Sequence, residues 1–525
     1  MIISKSANKF CSLDPMPTWL VKDNIEVLVS PFVSLINSSL RSGVFPDKFK
    51  DAIISPCLKK STLDSLVLAN YRPVSNLAFL SKVLETIVSK QLVKHLDRCD
   101  LHEVLQSAYK ANHSTESALL RVKHDLLLAI DKREGVIMVM LDLKSAFDTI
   151  DHSVLLRRLH SDFFLSGTVL DWFQSYLEGR SFAVSIGNHL SHKLSLKYGV
   201  PQGSVLGPLL FTMYLRPLGD ILRNNGVEFH LYADDVQLYY SFNPKSSSSF
   251  QNAILLIEKC VSEVNVWMIK NKLLMNEQKT ESLLIISSRL RHYLPDHVHL
   301  LLGDAFVEPS ESVRTLGVVL DSSLTMSQQV TSLCKSLNFH LYNISRVRRM
   351  LTDEACHHAI RSLVLSRLDN ANSLLININV SDIDRLQRIQ NRAARIISNA
   401  RKYDHVSPLL KQLHWLPVHK RIMYKVSLFV YKSMYNLIPS YISSLFCPIQ
   451  QSRYPLRSRS DPLLLQIPRI NSKKGQQNII FSGPTIWNSL PLSIRSCTSV
   501  ALFKKHLKTH CFLCNCHFLE CNALG

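Results

Sequence analysis

The sequence predicts an α+β fold, on three observations. Between residues 51 and 320, short β-branched and aromatic runs alternate with helical stretches. From Gln328 to Ala400 the pattern is helical throughout. The hydrophobic fraction of 46% suffices for real cores and excludes a disordered chain. A length of 525 residues suits about three or four domains. The expected division is an N-terminal helical extension (1–50), a mixed region (51–320), a helical region (321–402) and a small, separate helical unit (403–525).

Residues 1–50 read as helices broken by Pro15, Pro17, Pro31 and Pro46, and the chain is expected to begin partway into a larger architecture. A short strand then ends in Lys59 and Lys60, and Arg72 follows on an extended X-Pro segment. Cations at strand ends can hold phosphate, Arg as a fork and Lys as a point charge; an ordinary basic loop has the same appearance. The helix from Leu77 to Leu96 carries Leu80, Val83, Leu84, Ile87, Val88 and Leu92 on one core face. Ser114 with Ser117, or Thr115 with Glu116, starts a helix reaching Ile130.

Val136 to Leu141 is an unbroken apolar run, hence a buried strand, and Asp142 stands at its end. A carboxylate there is costly unless paired or bound to a cation. Asp148 and Asp151 read as acids at a helix start. Pro201-Gln202-Gly203-Ser204 opens onto an apolar helix, Leu209 to Leu215. Phe229 to Tyr240 (F-H-L-Y-A-D-D-V-Q-L-Y-Y) reads as a hairpin with Asp234 and Asp235 at its turn. Ser246 to Ser249 reads as a flexible loop, Ala253 to Leu274 as a helix, and a strand emerges after Lys279. Val313 to Leu320 reads as one strand, with Gly317 marking a bulge or close approach.

The net charge of +20 points to a polyanionic partner, nucleic acid before anionic membrane. No run of 18 apolar residues spans a bilayer, and Met1 to Phe10 lacks a signal peptide's apolar core. Scattered cysteines suggest a reducing, intracellular setting. The exception is Cys511, Cys514, Cys516, His517 and Cys521, a set that could bind zinc but matches no standard finger. Arg385, Arg388, Arg392 and Arg395 form one helical stripe that suits a phosphate backbone.

Asp142 with Asp234 and Asp235 could hold Mg²⁺, which prefers oxygen ligands and leaves room for phosphate and water. Two such ions about 4 Å apart support in-line phosphoryl transfer, in a polymerase or a nuclease.

The ordered set L-D-L-K-S-A-F-D, P-Q-G-S-V-L-G-P, Y-A-D-D, N-E-Q-K-T and L-G-V-V-L resembles a reverse transcriptase. N-Y-R-P-V-S-N-L, F-D-T-I-D-H and R-L-Q-R-I-Q-N-R-A-A-R narrow the resemblance to jockey-like non-long-terminal-repeat (LINE-type) retrotransposon polymerases. It covers about Ser12 to Phe512 and implies a right-hand fold, with fingers, an antiparallel-sheet palm and a helical thumb. By resemblance, Asp142, Asp234 and Asp235 are the catalytic, metal-binding acids, assisted by the Leu143 carbonyl, with Mg²⁺ or Mn²⁺ as the ion pair. Phe147 matches the residue that rejects a 2′-hydroxyl. Gln202 and Gly203 match the loop at the incoming nucleotide. Lys59, Lys60 and Arg72 match the triphosphate holders, and Lys279 a lysine at the leaving pyrophosphate. Leu316, Gly317 and Val318 match the primer grip, and the Arg stripe tracks the duplex. Implied partners are an RNA template, a DNA primer or target and dNTPs, in the nucleus and cytoplasm.

Family members usually carry Gly, Arg and Gly where Ala108, Lys110 and Asn112 stand; they also carry an N-terminal endonuclease, and the expectation is that this sequence opens in the region that follows it. A copy that binds RNA without catalysis is the alternative. A two-metal nuclease ranks last, since it gives Phe147 and the Pro-Gln-Gly loop no role.

Overall fold

The computed structural model describes residues 2–8, 11–144, 147–303, 305–449 and 463–513. In chain order, the elements used below begin with β1 (Asp51–Leu58), β2 (Tyr71–Asn76), α1 (Phe79–Arg98), α2 (Thr115–Asp131), β3 (Gly135–Leu141) and β4 (Ser181–Ile186). Next come α3 (Gly207–Asn224), β5 (Glu228–Tyr232), β6 (Asp235–Phe242), α4 (Ser247–Lys270), β7 (Glu281–Ile285), β8 (Pro309–Ser310), β9 (Ser312–Thr315) and β10 (Val318–Asp321). The helices α5 (Ser327–Val347), α6 (Val380–Ile397), α7 (Val418–Met434), α8 (Ile479–Ser489) and α9 (Val500–Leu513) follow.

The fingers sheet is built on β1, antiparallel to β2 and parallel to β4. The palm sheet has the order β8-β7-β3-β6-β5, antiparallel except for β8 on β7. Strand β3 lies in its middle and is buried on both faces, which explains its unbroken apolar run. One face, with Ile137, Val139, Leu141, Val236 and Leu238, packs with residues of α3 and α4. The other, with Val136, Met138, Tyr239, Leu283 and Ile285, joins a core with α2, α5 and α6.

Local chemistry sets several boundaries. The Ser114 hydroxyl accepts from the Ser117 N–H and the Ser117 hydroxyl from the Ser114 N–H, a capping box that starts α2. The Ser246 hydroxyl accepts from the Ser249 N–H at 3.2 Å, so the serine run expected as a loop begins α4 instead. Val313 to Leu320 is not one strand but a tight hairpin, β9 to β10. Its two turn residues, Leu316 (φ 46°) and Gly317 (φ 82°), both have positive φ, the type I′ pattern.

The C-terminal helices do not stand apart as expected. Tyr431 of α7, Trp487 of α8 and Phe503 of α9 belong to the core shared by α5, α6 and the palm. Cys511 is buried against the same core, while Cys514, Cys516, His517 and Cys521 lie outside the described residues. Among the described residues, no helix is long and apolar enough to cross a membrane.

Candidate active site

The palm register brings the carboxylates together. Leu141 on β3 pairs with Val236 on β6, and one further step sets Asp142 opposite Asp235. Tyr232 pairs with Asp235 across a two-residue turn, so Asp234 sits at the tip beside them. Ala233 enters that turn with φ 56°, a conformation unusual for alanine. Buried Gln106 supports it: its Oε1 accepts the N–H groups of Ala233 (3.1 Å) and Ala108 (2.8 Å). The segment 105–107 also bonds along β5, from Ser107 N–H to the Leu231 carbonyl and from Leu231 N–H to the Leu105 carbonyl.

The charges respond to one another. Burial first, then the charges of Asp234 and Asp142, push the Asp235 carboxyl up to about 6. Asp234 is raised by burial and by Asp142, against the pull of Arg72 and Lys279. Asn276 steers Asp142: its Nδ2 donates to Asp142 Oδ2 at 2.8 Å, and its backbone N–H donates to the Asp142 carbonyl at 2.8 Å. The Lys279 ammonium lies 3.4 Å from the same Oδ2. Leu143 is buried next to Asp142 and pairs with Met275. Among the described residues, no three His, Cys, Asp or Glu side chains already converge tightly enough to cage an ion. The donor set is nevertheless oxygen-rich and self-repelling, which suits a hard divalent cation such as Mg²⁺ that completes its shell with further oxygens.

An open cleft of about 530 Å³ is lined by Asp142, Asp235, Lys279, Arg314, Leu316 and Gly317. The β9–β10 turn thus faces the acids, with Val318 buried beneath it.

The Pro-Gln-Gly loop is locked between three elements. The Gln202 carbonyl accepts the Ser75 N–H of β2 at 2.7 Å. A Cβ on Gly203 (φ 118°) would stand 2.6 Å from the Ser75 carbonyl oxygen, so only glycine fits. The Gln202 amide NH₂ donates to both carboxylate oxygens of Asp148, at 2.8 and 2.9 Å. Asp148 is therefore not a helix-start acid; Asp151 is, accepting from the Val154 N–H at 2.9 Å. Buried Glu85 on α1 accepts the N–H groups of Val205 (2.7 Å) and Leu206 (3.1 Å). Half-buried Phe147 packs on Phe211, with ring centroids 4.6 Å apart, and its carbonyl accepts from the Val200 N–H at 3.0 Å.

Residues 58–320 match the family model described as reverse transcriptase (RNA-dependent DNA polymerase). The chain belongs to the reverse transcriptase family. Over 441 residues it is 26% identical to a probable RNA-directed DNA polymerase from transposon X-element of Drosophila melanogaster, covering 80% of this chain and 46% of that one. Over 308 residues it is 28% identical to the RNA-directed DNA polymerase from mobile element jockey of Drosophila funebris, covering 57% and 32% respectively. The chain thus spans less than half the length of these relatives. Among solved structures, the apo telomerase of Candida tropicalis aligns at 12% identity and TM-score 0.41, over 75% of this chain and 67% of that one.

As a reverse transcriptase, the chain places its other expected residues unevenly. Arg72, exposed on β2, is near enough to bias Asp234. Lys59 instead donates to the Ala69 carbonyl at 2.8 Å, and Lys60 is exposed on the next turn. In the segment with family departures, Asn112 holds φ 63°, which asparagine tolerates better than most residues, so it can replace glycine there. Lys110 donates to the Glu103 carbonyl at 3.3 Å, and burial lowers its pKa. The Arg stripe on α6 is not free of acids: Arg385 pairs with Asp382 at 2.9 Å. Arg395 donates to the Asp404 carbonyl at 3.1 Å, while Arg388 and Arg392 are exposed. Gln106, Asn276, Glu85 and Asp148 were not anticipated as site residues, nor was the bond from Asp148 to the expected Gln202. Their positions in the sequence carry no sign of these distant contacts.

Proposed function

We propose that the chain is an RNA-directed DNA polymerase of a non-long-terminal-repeat retrotransposon. It adds deoxynucleotides to a DNA primer 3′-OH on an RNA template, in the nucleus and cytoplasm. The observation that carries this reading is the meeting of Asp142, Asp234 and Asp235 at one end of the palm sheet, facing the β9–β10 turn across an open cleft.

Asp142, Asp234 and Asp235, with the Leu143 carbonyl, would hold two Mg²⁺ (or Mn²⁺) ions. When bound, these ions supply charge neutralisation for the attacking and leaving oxygens. Asn276 keeps the Asp142 carboxylate in place, and Lys279 and Arg72 balance its charge and that of Asp234. Lys59, Lys60 and Arg72 would receive the triphosphate, and Lys279 would ease departure of pyrophosphate. Phe147, wedged on Phe211, would close the space beside the sugar C2′. Gln202 turns its amide nitrogen to Asp148, so its side-chain oxygen would be the group left to accept from the nucleotide. Leu316, Gly317 and Val318 would seat the primer end. Arg388 and Arg392, with Arg385 and Arg395 behind them, would follow the duplex backbone.

The test is primer extension on a DNA-primed RNA template with dNTPs and Mg²⁺. Product growth that requires dNTPs supports the reading. RNA binding without any extension, or strand cleavage without dNTPs, overturns it.

A pH dependence follows. Below about 6 Asp235 carries its proton and loses its hold on a cation, so extension falls as the pH drops through about 6. Mg²⁺ competes with that proton, so raising Mg²⁺ moves the acid limb to lower pH; a limb that ignores Mg²⁺ contradicts the assignment. The ion-free chain tests the sign separately. Asp235 is raised from 3.8 to about 6, so between these values the folded state binds more protons than the unfolded one. Without Mg²⁺, stability therefore falls as the pH rises through that window.

A further inference from the structure

Helix α5 buries Val330, Cys334, Leu337, Leu341 and Ile344 along one side. At about 100° per residue, Lys335, Phe339, Tyr342 and Arg346 fall together on the outward side. Phe339 is 62% exposed and Tyr342 54% exposed, one helical turn apart. The Arg346 guanidinium lies 5.9 Å from the Tyr342 ring centroid. No Asp or Glu occurs from Ser327 to Thr352. Beside this face stand the arginines proposed for the duplex, since Asn338 accepts from Arg392 at 3.3 Å and Thr331 from Arg385 at 3.0 Å. None of these residues lines the cleft of the carboxylates.

A solvated helix face ordinarily mixes both charge signs and hides its aromatic rings. Here cations without acids supply a track for phosphates, and two bare rings supply faces on which bases can stack. Base faces are hidden inside a duplex and accessible in a single strand. We propose that the outer face of α5 binds an unpaired stretch of RNA. This rests on the polymerase reading in one respect: in that reaction the RNA template, outside the stretch paired with the growing strand, is what offers unpaired bases.

The experiment measures binding without dNTPs, so its outcome is independent of extension. Fluorescence anisotropy of the full chain compares an unstructured single-stranded RNA, a single-stranded DNA of the same sequence and a blunt RNA–DNA hybrid. Phe339→Ala with Tyr342→Ala should weaken binding of the single-stranded RNA by about 10-fold per ring, with little change for the hybrid. The salt dependence should stay unchanged, since no charge is removed. Lys335→Ala with Arg346→Ala should flatten the salt dependence, by about 0.7 in log–log slope per cation. Phe339→Tyr with Tyr342→Phe keeps both rings and should restore affinity. Equal losses on RNA and hybrid overturn the proposal, as does an unchanged RNA affinity in the alanine variant. A loss confined to single-stranded DNA overturns the assignment to RNA. A chain that fails to extend primers yet shows these losses refutes the polymerase reading alone.

Discussion

Asp234→Asn lowers primer extension by at least about 10³-fold, a loss of ~4 kcal/mol of transition-state stabilisation, while RNA binding stays within about twofold. The reason lies in the charge. Asn keeps the shape of the turn tip and leaves the Gln106–Ala233 hydrogen bond untouched. It removes the negative charge that Arg72 and Lys279 attend and that raises the Asp235 carboxyl. The site then loses the anionic oxygen that a divalent ion needs, without losing the fold around it. Relief of repulsion has its own signature: in chelator, Asp234→Asn should melt no lower than the unaltered chain. Asp142→Asn should also abolish extension, but it weakens the 3.4 Å contact with Lys279 and disturbs the Asn276 hydrogen bond. Its chelator-state melting temperature should therefore be lower than that of Asp234→Asn. Extension by Asp234→Asn at the unaltered rate would remove Asp234 from the chemistry.

The parts of this site legible in the sequence are those set by short-range pattern. A buried strand announces itself by an unbroken apolar run, and β3 does so from Val136 to Leu141. Period-2 apolar runs flanking Asp234 and Asp235 announce a hairpin, and β5 and β6 are that hairpin. The β9–β10 turn was hidden because Leu316, a residue that rarely adopts positive φ, fills the first turn position. Asp148 was misread because acids just before a helix ordinarily serve its N-terminus; its partner, Gln202, is 54 residues away. The α6 stripe looked purely cationic because Asp382, which holds Arg385, falls just outside the run of arginines. The Ser/Arg-rich stretch at 450–461 resembles a domain linker, yet the helices around it have apolar faces that complete a core begun by α2 and α5. Composition marks where a chain is polar. It does not tell which core the apolar residues on either side will join.

Glu85→Ala is expected to destabilise the chain by about 3–5 kcal/mol, seen as a lower midpoint in thermal or denaturant unfolding. Glu85 is fully buried, and four groups depend on it. The Val205 and Leu206 N–H groups donate to its Oε2, the Tyr176 hydroxyl donates to the same oxygen at 3.4 Å, and the Ser81 hydroxyl donates to Oε1 at 3.2 Å. The charge of Arg180 also favours the ionised carboxylate. Arg180 is itself only 2% exposed; its Nε donates to the Tyr176 carbonyl at 2.6 Å, but its two terminal nitrogens have no hydrogen-bond partner among the described residues. Burial outweighs all of these and raises the Glu85 pKa, so Glu85 is kept for its hydrogen-bond contacts rather than for net charge pairing. Alanine would orphan two backbone N–H groups and leave the Arg180 cation with no anion beside it. Glu85→Gln separates the two contributions. Its carbonyl can still accept from Val205 and Leu206, so it should lose about half as much stability. The functional readout follows from position: Val205 and Leu206 lie two and three residues beyond Gly203, so loosening them frees the Gln202 carbonyl from Ser75. In Glu85→Ala the KM for dNTP should therefore rise more than kcat falls, while Glu85→Gln, which keeps both bonds, should leave KM close to that of the unaltered chain. An alanine variant that loses stability with KM unchanged would mean that Glu85 holds the fold together without setting the loop.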